Sequence, residues 1–166
     1  MDLFDAIEQR ASVRTYDPVD VSAEDLERIV DAGRRAPSGG NRQPIQFIAV
    51  TKRETLDALE SVQEAFASAS AAVAIVADPA VSRWWLEDAA AAAENMLLAV
   101  TALGYASVWI EGTLLKQEDR AKDLLGVPNE KRLIIMLPIG KVPDGASQAE
   151  RKPLDAVMFR ERYGAT

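Results

Sequence analysis

The run Ala71-Ala-Val-Ala-Ile-Val-Ala77 limits the fold more than any other stretch. It is apolar throughout and is closed by Asp78-Pro79. A run of that length reads as a strand buried on both faces. Two further apolar stretches, Ile45 to Thr51 and Leu133 to Ile139, have strand character, and Ser107 to Glu111 reads as a short strand ending at Gly112. Ser12 to Tyr16 alternates and is rich in β-formers until Asp17-Pro18 breaks it. Helical spacing covers the rest. Asp2 to Arg10 carries Leu3, Phe4 and Ile7 on one side. Ser22 and Asp25 resemble a capping box before a helix with Leu26, Ile29, Val30 and Gly33 on its inner face. A third helix is predicted from Glu54 to Phe66, with Leu56, Leu59, Val62 and Phe66 on one face. The long central helix spans Trp84 to Leu103, alanine-rich in its first half and capped by Gly104. Lys116 to Leu125 and Pro153 to about Arg162 complete the set, with a polar loop from Gly140 to Arg151. Strands and helices mix without strict alternation and without a linker. That predicts one domain, residues 1–166, built as an α+β sandwich with helices on a mixed sheet.

The totals narrow the chemistry. The formal net charge is −7, with no cysteine and no histidine in 166 residues. An acidic chain carries no footprint for nucleic acid or for a basic membrane patch. Without Cys or His there is no thiolate nucleophile, no Ser-His-Asp triad and no imidazole metal ligand. Redox chemistry would therefore need a cofactor. The acidic start, Met1-Asp2-Leu3-Phe4-Asp5, is unlike a signal peptide, and no segment approaches the roughly 20 apolar residues of a membrane span. The expected location is cytoplasmic.

Three stretches carry candidate chemistry. Ala36-Pro-Ser-Gly-Gly-Asn-Arg-Gln-Pro44 joins a helix to a strand. Prolines fix φ, glycines permit φ > 0, and Ser38, Asn41 and Gln43 offer uncharged donors and acceptors suited to the edge of a planar heteroaromatic ligand. A plain turn has the same composition. Arg10, Ser12 and Arg14 would point one way in an extended segment, which makes either an anion clamp or a solvated basic turn. Arg151-Lys152 is a basic pair that would complete such a clamp. Trp109-Ile110-Glu111-Gly112 ends a strand at a glycine, where backbone can approach a ligand closely. Trp84-Trp85 reads as a core or interface anchor rather than a stacking cage.

Taken together, these residues resemble the nitroreductase family of FMN-dependent oxidoreductases over nearly the whole chain. Arg10-x-Ser12-x-Arg14 is similar to the family's N-terminal phosphate motif. Ala36 to Pro44 is similar to its Ala-Pro-Ser-x-x-Asn-x-Gln-Pro signature. Asp88 to Leu103 followed by Gly104 to Gly112 resembles the family's central helix and the glycine-rich stretch after it. Arg151-Lys-Pro-Leu154 resembles the C-terminal basic motif. The resemblance implies an α+β sandwich with a mixed, mainly antiparallel sheet flanked by helices, forming an FMN-binding homodimer with its sites in the interface. It implies that Arg10, Ser12, Arg14 and Arg151 hold the phosphate, with Ala11 in the same motif. Pro37, Ser38, Gly39 and Asn41 would line the flavin from the partner chain, with Gln43 supporting the loop. Backbone N–H groups near Glu111 and Gly112 would face flavin N5. NADH or NADPH would be the electron donor, and a nitro compound, quinone or similar small molecule the acceptor.

The chain departs from the pattern in two places. Ala11 replaces a second basic residue, and the stretch before the second strand offers Gln63, Glu64 and Ala65 where many members carry a cation. Two other functions stay open at this point. One is a flavin-binding protein without turnover, for storage or sensing. The other is a specialised reaction such as reductive dehalogenation or flavin fragmentation.

Overall fold

The fold is built outward from the strand Ala71–Ala77 (β2), every residue of which is buried. In this computed structural model, which describes residues 1–165, β2 pairs antiparallel with Ile45–Val50 (β1) on one side and Arg132–Lys141 (β4) on the other. Tyr105–Ser107 (β3) pairs antiparallel with the end of β4, so the sheet order is β1-β2-β4-β3. All strand pairs are antiparallel. A parallel contact occurs only as the isolated bridge between Ser12 and Ser107 among the described residues.

Alternation along β2 explains why the whole run is apolar. Ala72, Ala74 and Val76 face one core with Leu56, Leu59, Val62 and Phe66. Ala71, Val73, Ile75 and Ala77 face the other, with Leu26, Ile29, Ala89, Ala93 and Met96. The pairing slips between Ile75 and Val76 opposite β4. Such a bulge places two successive residues on one side, and Ile134 and Ile135 both enter the second core.

Helix Leu3–Gln9 (α1) opens with a reciprocal capping box between Asp2 and Asp5. Helix Ala23–Arg34 (α2) begins where Ser22 Oγ accepts from Asp25 N at 3.0 Å, which is one half of the predicted box. Arg53–Glu60 (α3), Trp85–Ala102 (α4), Gly112–Leu115 (α5) and Glu118–Leu125 (α6) follow. Helices α2 and α4 cover one face of the sheet and α3 and α6 the other. Gly33 sets the α2–α4 spacing, because a Cβ there would lie 2.6 Å from Met96 Sδ. Among the described residues no helix is long and apolar enough to cross a membrane.

Several expected elements differ. The third helix stops at Glu60, and Glu64–Phe66 is a separate 3-10 turn. The helix expected at Lys116 to Leu125 starts later, at Glu118 (α6), and a separate short helix, α5, precedes it at Gly112–Leu115, with Lys116 and Gln117 between them. The strand expected at Ser107 to Glu111 begins earlier, at Tyr105, and ends at Ser107. Ile110 makes a lone bridge to Met136. Ser12 to Tyr16 forms bridges rather than a strand. Gly140 and Lys141 belong to β4, not to the loop. The terminal helix is absent from Pro153 to Arg162, where only a 3-10 turn at Leu154–Ala156 forms. Leu154, Val157 and Met158 there are exposed, so that stretch has no apolar surface to pack against within the chain.

Candidate functional site

The basic N-terminal segment is held against the sheet by backbone bonds. Val13 N donates to Ser107 O at 3.0 Å. Tyr16 OH donates to Val13 O at 2.6 Å, and burial pushes the Tyr16 phenol well above its ordinary range, with the charge of Arg14 pulling slightly the other way. These ties leave Ser12 and Arg14 exposed and Ala11 half-buried against the core. Arg10 caps the end of α1, and its Nε lies 4.0 Å from Glu94 Oε1. The C-terminal loop arrives at the same place. Gln148 Nε2 donates to the carbonyls of Ile7 and Arg10 at 3.0 and 3.1 Å. Arg151, exposed three residues further on, is thereby tethered near the Arg10 end of the segment. A cavity of about 360 Å³ lies here, lined by Ala11, Val13, Tyr105 and Gln148 among others.

The signature loop is built at the other end of α4. Ser38 Oγ accepts from Gln43 N at 3.0 Å, closing the loop on itself. Gly40, Asn41 and Gln43 have φ of 59°, 54° and 52°. This left-handed region suits glycine and is tolerated by Asn, but it is strained for Gln43. The loop is fastened by Asp88, a residue that is only 6% exposed. Its Oδ1 accepts from Gly39 N at 2.8 Å and its Oδ2 from Ser82 Oγ at 3.1 Å. Sequence reading placed Asp88 in the central helix and gave it no role in the loop, because its partners are far away in the chain.

The two regions share α4 but diverge around it. Asp88 grips the loop and Glu94 approaches Arg10. At 1.5 Å and 100° per residue, these positions lie about 9 Å apart along the axis and roughly 120° apart around it. The third candidate, Glu111-Gly112, lies past the edge of the ladder. Ile110 exchanges both backbone bonds with Met136. Glu111 then turns its carboxylate to accept from Trp109 Nε1 at 3.0 Å. Gly112 opens α5, exposed, with nothing within 4 Å of where a Cβ would stand. As a first helical residue, its N–H has no intrahelical acceptor.

Close to the stretch Gln63 to Ala65, the guanidinium of Arg53 is already engaged by Asp57 and by two carbonyls. Arg53 of α3 donates to the carbonyls of Ala69 and Phe66 at 2.8 and 3.0 Å.

Comparison with known proteins agrees with this architecture. The family model described as Nitroreductase family matches residues 7–80 and 61–141. A protein of Archaeoglobus fulgidus, provisionally named NADH dehydrogenase/NAD(P)H nitroreductase, is 38% identical over 148 residues, covering 81% of this chain and 82% of that one. A similarly named Bacteroides thetaiotaomicron structure superposes with a TM-score of 0.88 at 26% identity, covering 96% and 98% of the two chains. A provisionally named nitroreductase of Desulfovibrio desulfuricans, solved in complex with FMN, gives 0.86 at 27% identity over 98% of each chain.

Proposed function

The chain belongs to the nitroreductase family, and from that premise we propose that it is an FMN-dependent oxidoreductase. It takes electrons from NADH or NADPH and passes them to a nitroaromatic, a quinone or a similar small acceptor. One observation carries the reading: Gln148 draws the C-terminal loop onto the carbonyls of Ile7 and Arg10. In this reading the tether brings Arg151 toward the segment that carries Arg10, Ser12 and Arg14.

The residues fit the cofactor. Ser12 and Arg14 are exposed, and the forked guanidinium donors of Arg10 and Arg14 match a phosphate. Ser107 Oγ is buried at the point where this segment bridges the sheet and has no hydrogen-bond partner among the described residues. The phosphate would lie against Arg10, Ser12, Arg14 and Arg151, with Ala11 turned to the core behind them. Pro37, Ser38, Gly39 and Asn41 would line the ring, and Gln43 holds that loop in shape. When bound, FMN supplies the two-electron chemistry that no side chain of this protein provides. The exposed N–H of Gly112 and that of Glu111 would stabilise negative charge there, so no side-chain acid is needed.

Each site takes its two halves from different chains in this reading. The loop and the basic segment diverge around α4, which supports a homodimer in which each completes the partner's site. Exposed Leu3, Phe4 and Ile7 on α1 and Leu154, Val157 and Met158 in the tail offer apolar surface for that contact. An open groove of about 1230 Å³ between α2 and the sheet edge β1 adds to it. The alanines are less available than their spacing suggests, since Ala89, Ala92 and Ala93 are buried within their own chain.

The test is a titration of apoprotein with FMN and with riboflavin, followed by anaerobic NADH and NADPH. FMN binds tighter than riboflavin, and one nicotinamide bleaches the bound flavin. Arg14→Ala weakens FMN by about ten-fold to a hundred-fold, from the loss of one charge-assisted bond, and riboflavin much less. Equal affinity for the two flavins refutes the phosphate assignment. Binding without bleaching by either nicotinamide replaces the enzyme with a flavin carrier.

A further inference from the structure

Arg42 and Arg83 converge on a single indole, that of Trp84. The Arg83 guanidinium carbon lies 4.2 Å and that of Arg42 5.7 Å from the ring centroid. The two cations are therefore within about 10 Å of each other, roughly one Debye length at 0.1 M salt. Six of the thirteen guanidinium groups lie against carboxylates: Arg10 on Glu94, Arg28 on Asp25, Arg34 and Arg35 on Asp31, Arg53 on Asp57 and Arg132 on Glu118. Arg42 and Arg83 have no such ion pair among the described residues, on a chain whose net charge is −7.

The arrangement stands on the same buried carboxylate that fastens the signature loop. Trp84 N donates to Ser82 Oγ at 3.2 Å, and Ser82 Oγ donates to Asp88 Oδ2. The indole fills the space a side chain at residue 39 would need, since a Cβ on Gly39 would lie 2.6 Å from Trp84 Cε3. Arg42 folds back over the loop, its Nη1 3.4 Å from where a Cβ on Gly40 would stand. An indole face holds a guanidinium through its ring electrons and leaves the in-plane N–H donors free. Two forks positioned this way, without carboxylates, suit an anion.

We propose that Arg42 and Arg83, positioned by Trp84, form an anion-binding subsite beside the Pro37–Gln43 loop that selects a planar ligand carrying a carboxylate or phosphate. The inference rests on the loop lining the reaction site, as proposed above. Two sources share this chemistry: an aromatic acceptor bearing an acid group, and the 2′-phosphate of NADPH beside its adenine. Trp84 is a positioning residue here, and the arginines are the ligand contacts.

The experiment is calorimetric titration of the FMN-loaded protein with two matched pairs. 4-Nitrobenzoate against 4-nitrobenzamide probes the acceptor source, and adenosine 2′-phosphate against adenosine probes the donor source. The expected result is that, in at least one pair, the anion binds roughly ten-fold or more tighter than its neutral partner. That ratio falls to near one in the Arg42→Gln/Arg83→Gln double variant, while the neutral ligand's affinity stays unchanged. Trp84→Leu lowers the ratio through misplacement of the two guanidiniums, and Trp84→Phe restores most of it. A ratio near one for both pairs in the parent protein overturns the proposal, as does a ratio that survives the double substitution. Failure of the oxidoreductase reading shows separately, as bound flavin that neither NADH nor NADPH bleaches, and leaves these binding ratios measurable.

Discussion

Replacing Asp88 by alanine tests whether one buried carboxylate shapes the Pro37–Gln43 loop, the proposed flavin contact. Asp88 makes two hydrogen bonds, to Gly39 N at 2.8 Å and Ser82 Oγ at 3.1 Å, while being 6% exposed. Bonds to a charged acceptor contribute about 1.5–3 kcal/mol each, and a buried donor left without a partner costs a similar amount. Those terms overlap, so Asp88→Ala should lower folding stability by about 2–4 kcal/mol. The loop consequence is separate. Gly39 loses its anchor, and the turn through Gly40, Asn41 and Gln43, held at positive φ, relaxes toward ordinary backbone angles. FMN affinity should fall about ten-fold to a hundred-fold, at 1.4 kcal/mol per decade. Asp88→Asn keeps an acceptor for Gly39 and places a donor toward Ser82 Oγ, so it should lose less than half as much of either quantity. Urea unfolding of the apoprotein reads the first effect, and flavin fluorescence titration at low urea reads the second. Asp88→Ala with an unchanged urea midpoint and unchanged FMN affinity would refute the argument. Equal damage from Ala and Asn would show that charge, not the pair of bonds, is what matters.

Two further outcomes follow from the packing. Gly140→Ala should destabilise by about 1–3 kcal/mol in urea, because the new methyl meets Tyr16 Cβ at 2.4 Å, too near the backbone to swing aside. Burial alone would raise the Glu118 carboxyl, but bonds from Arg132 and from Leu133 N, with the charges of Arg132 and Lys122, hold it below the usual carboxylate range. A carboxylate lowered on folding adds stability above its unfolded pKa and loses it as pH falls through the folded one. Wild type should therefore exceed Glu118→Gln by about 1–2 kcal/mol at pH 7, with the difference fading below about pH 4 in thermal melts.

Local chemistry was legible in the sequence where one residue type answered one local demand. β2 was found to the residue because a strand covered on both faces admits no polar side chain. The central helix was found because its alanines and following glycine leave little alternative. Where burial and backbone part company, periodicity misled. Leu56, Leu59, Val62 and Phe66 all reach the core, as their spacing says. The chain nevertheless leaves the helix after Glu60, and Val62 and Phe66 arrive through turns. The tail failed for the opposite reason. Leu154, Val157 and Met158 have helical spacing, yet nothing in the chain covers them, and an apolar stripe stabilises a helix only when something packs on it.

The site depends on pairings that sequence spacing does not encode. Nothing near Gly39 announces Asp88, and nothing near Trp84 announces Arg42, which lies before β1 while Trp84 follows β2. Motif matching picked out the candidate segments by local residue pattern. Their mutual orientation is set by α4, which holds the loop at Asp88 and approaches Arg10 at Glu94 on faces roughly 120° apart. In the reading proposed above, that divergence is why each half-site would serve a ligand held partly by another copy. The proposed second copy would also cover the exposed apolar residues of α1 and the tail. On that proposal, the uncovered stripe of the tail and the separation of the two candidate segments have one cause, a surface meant for a second copy.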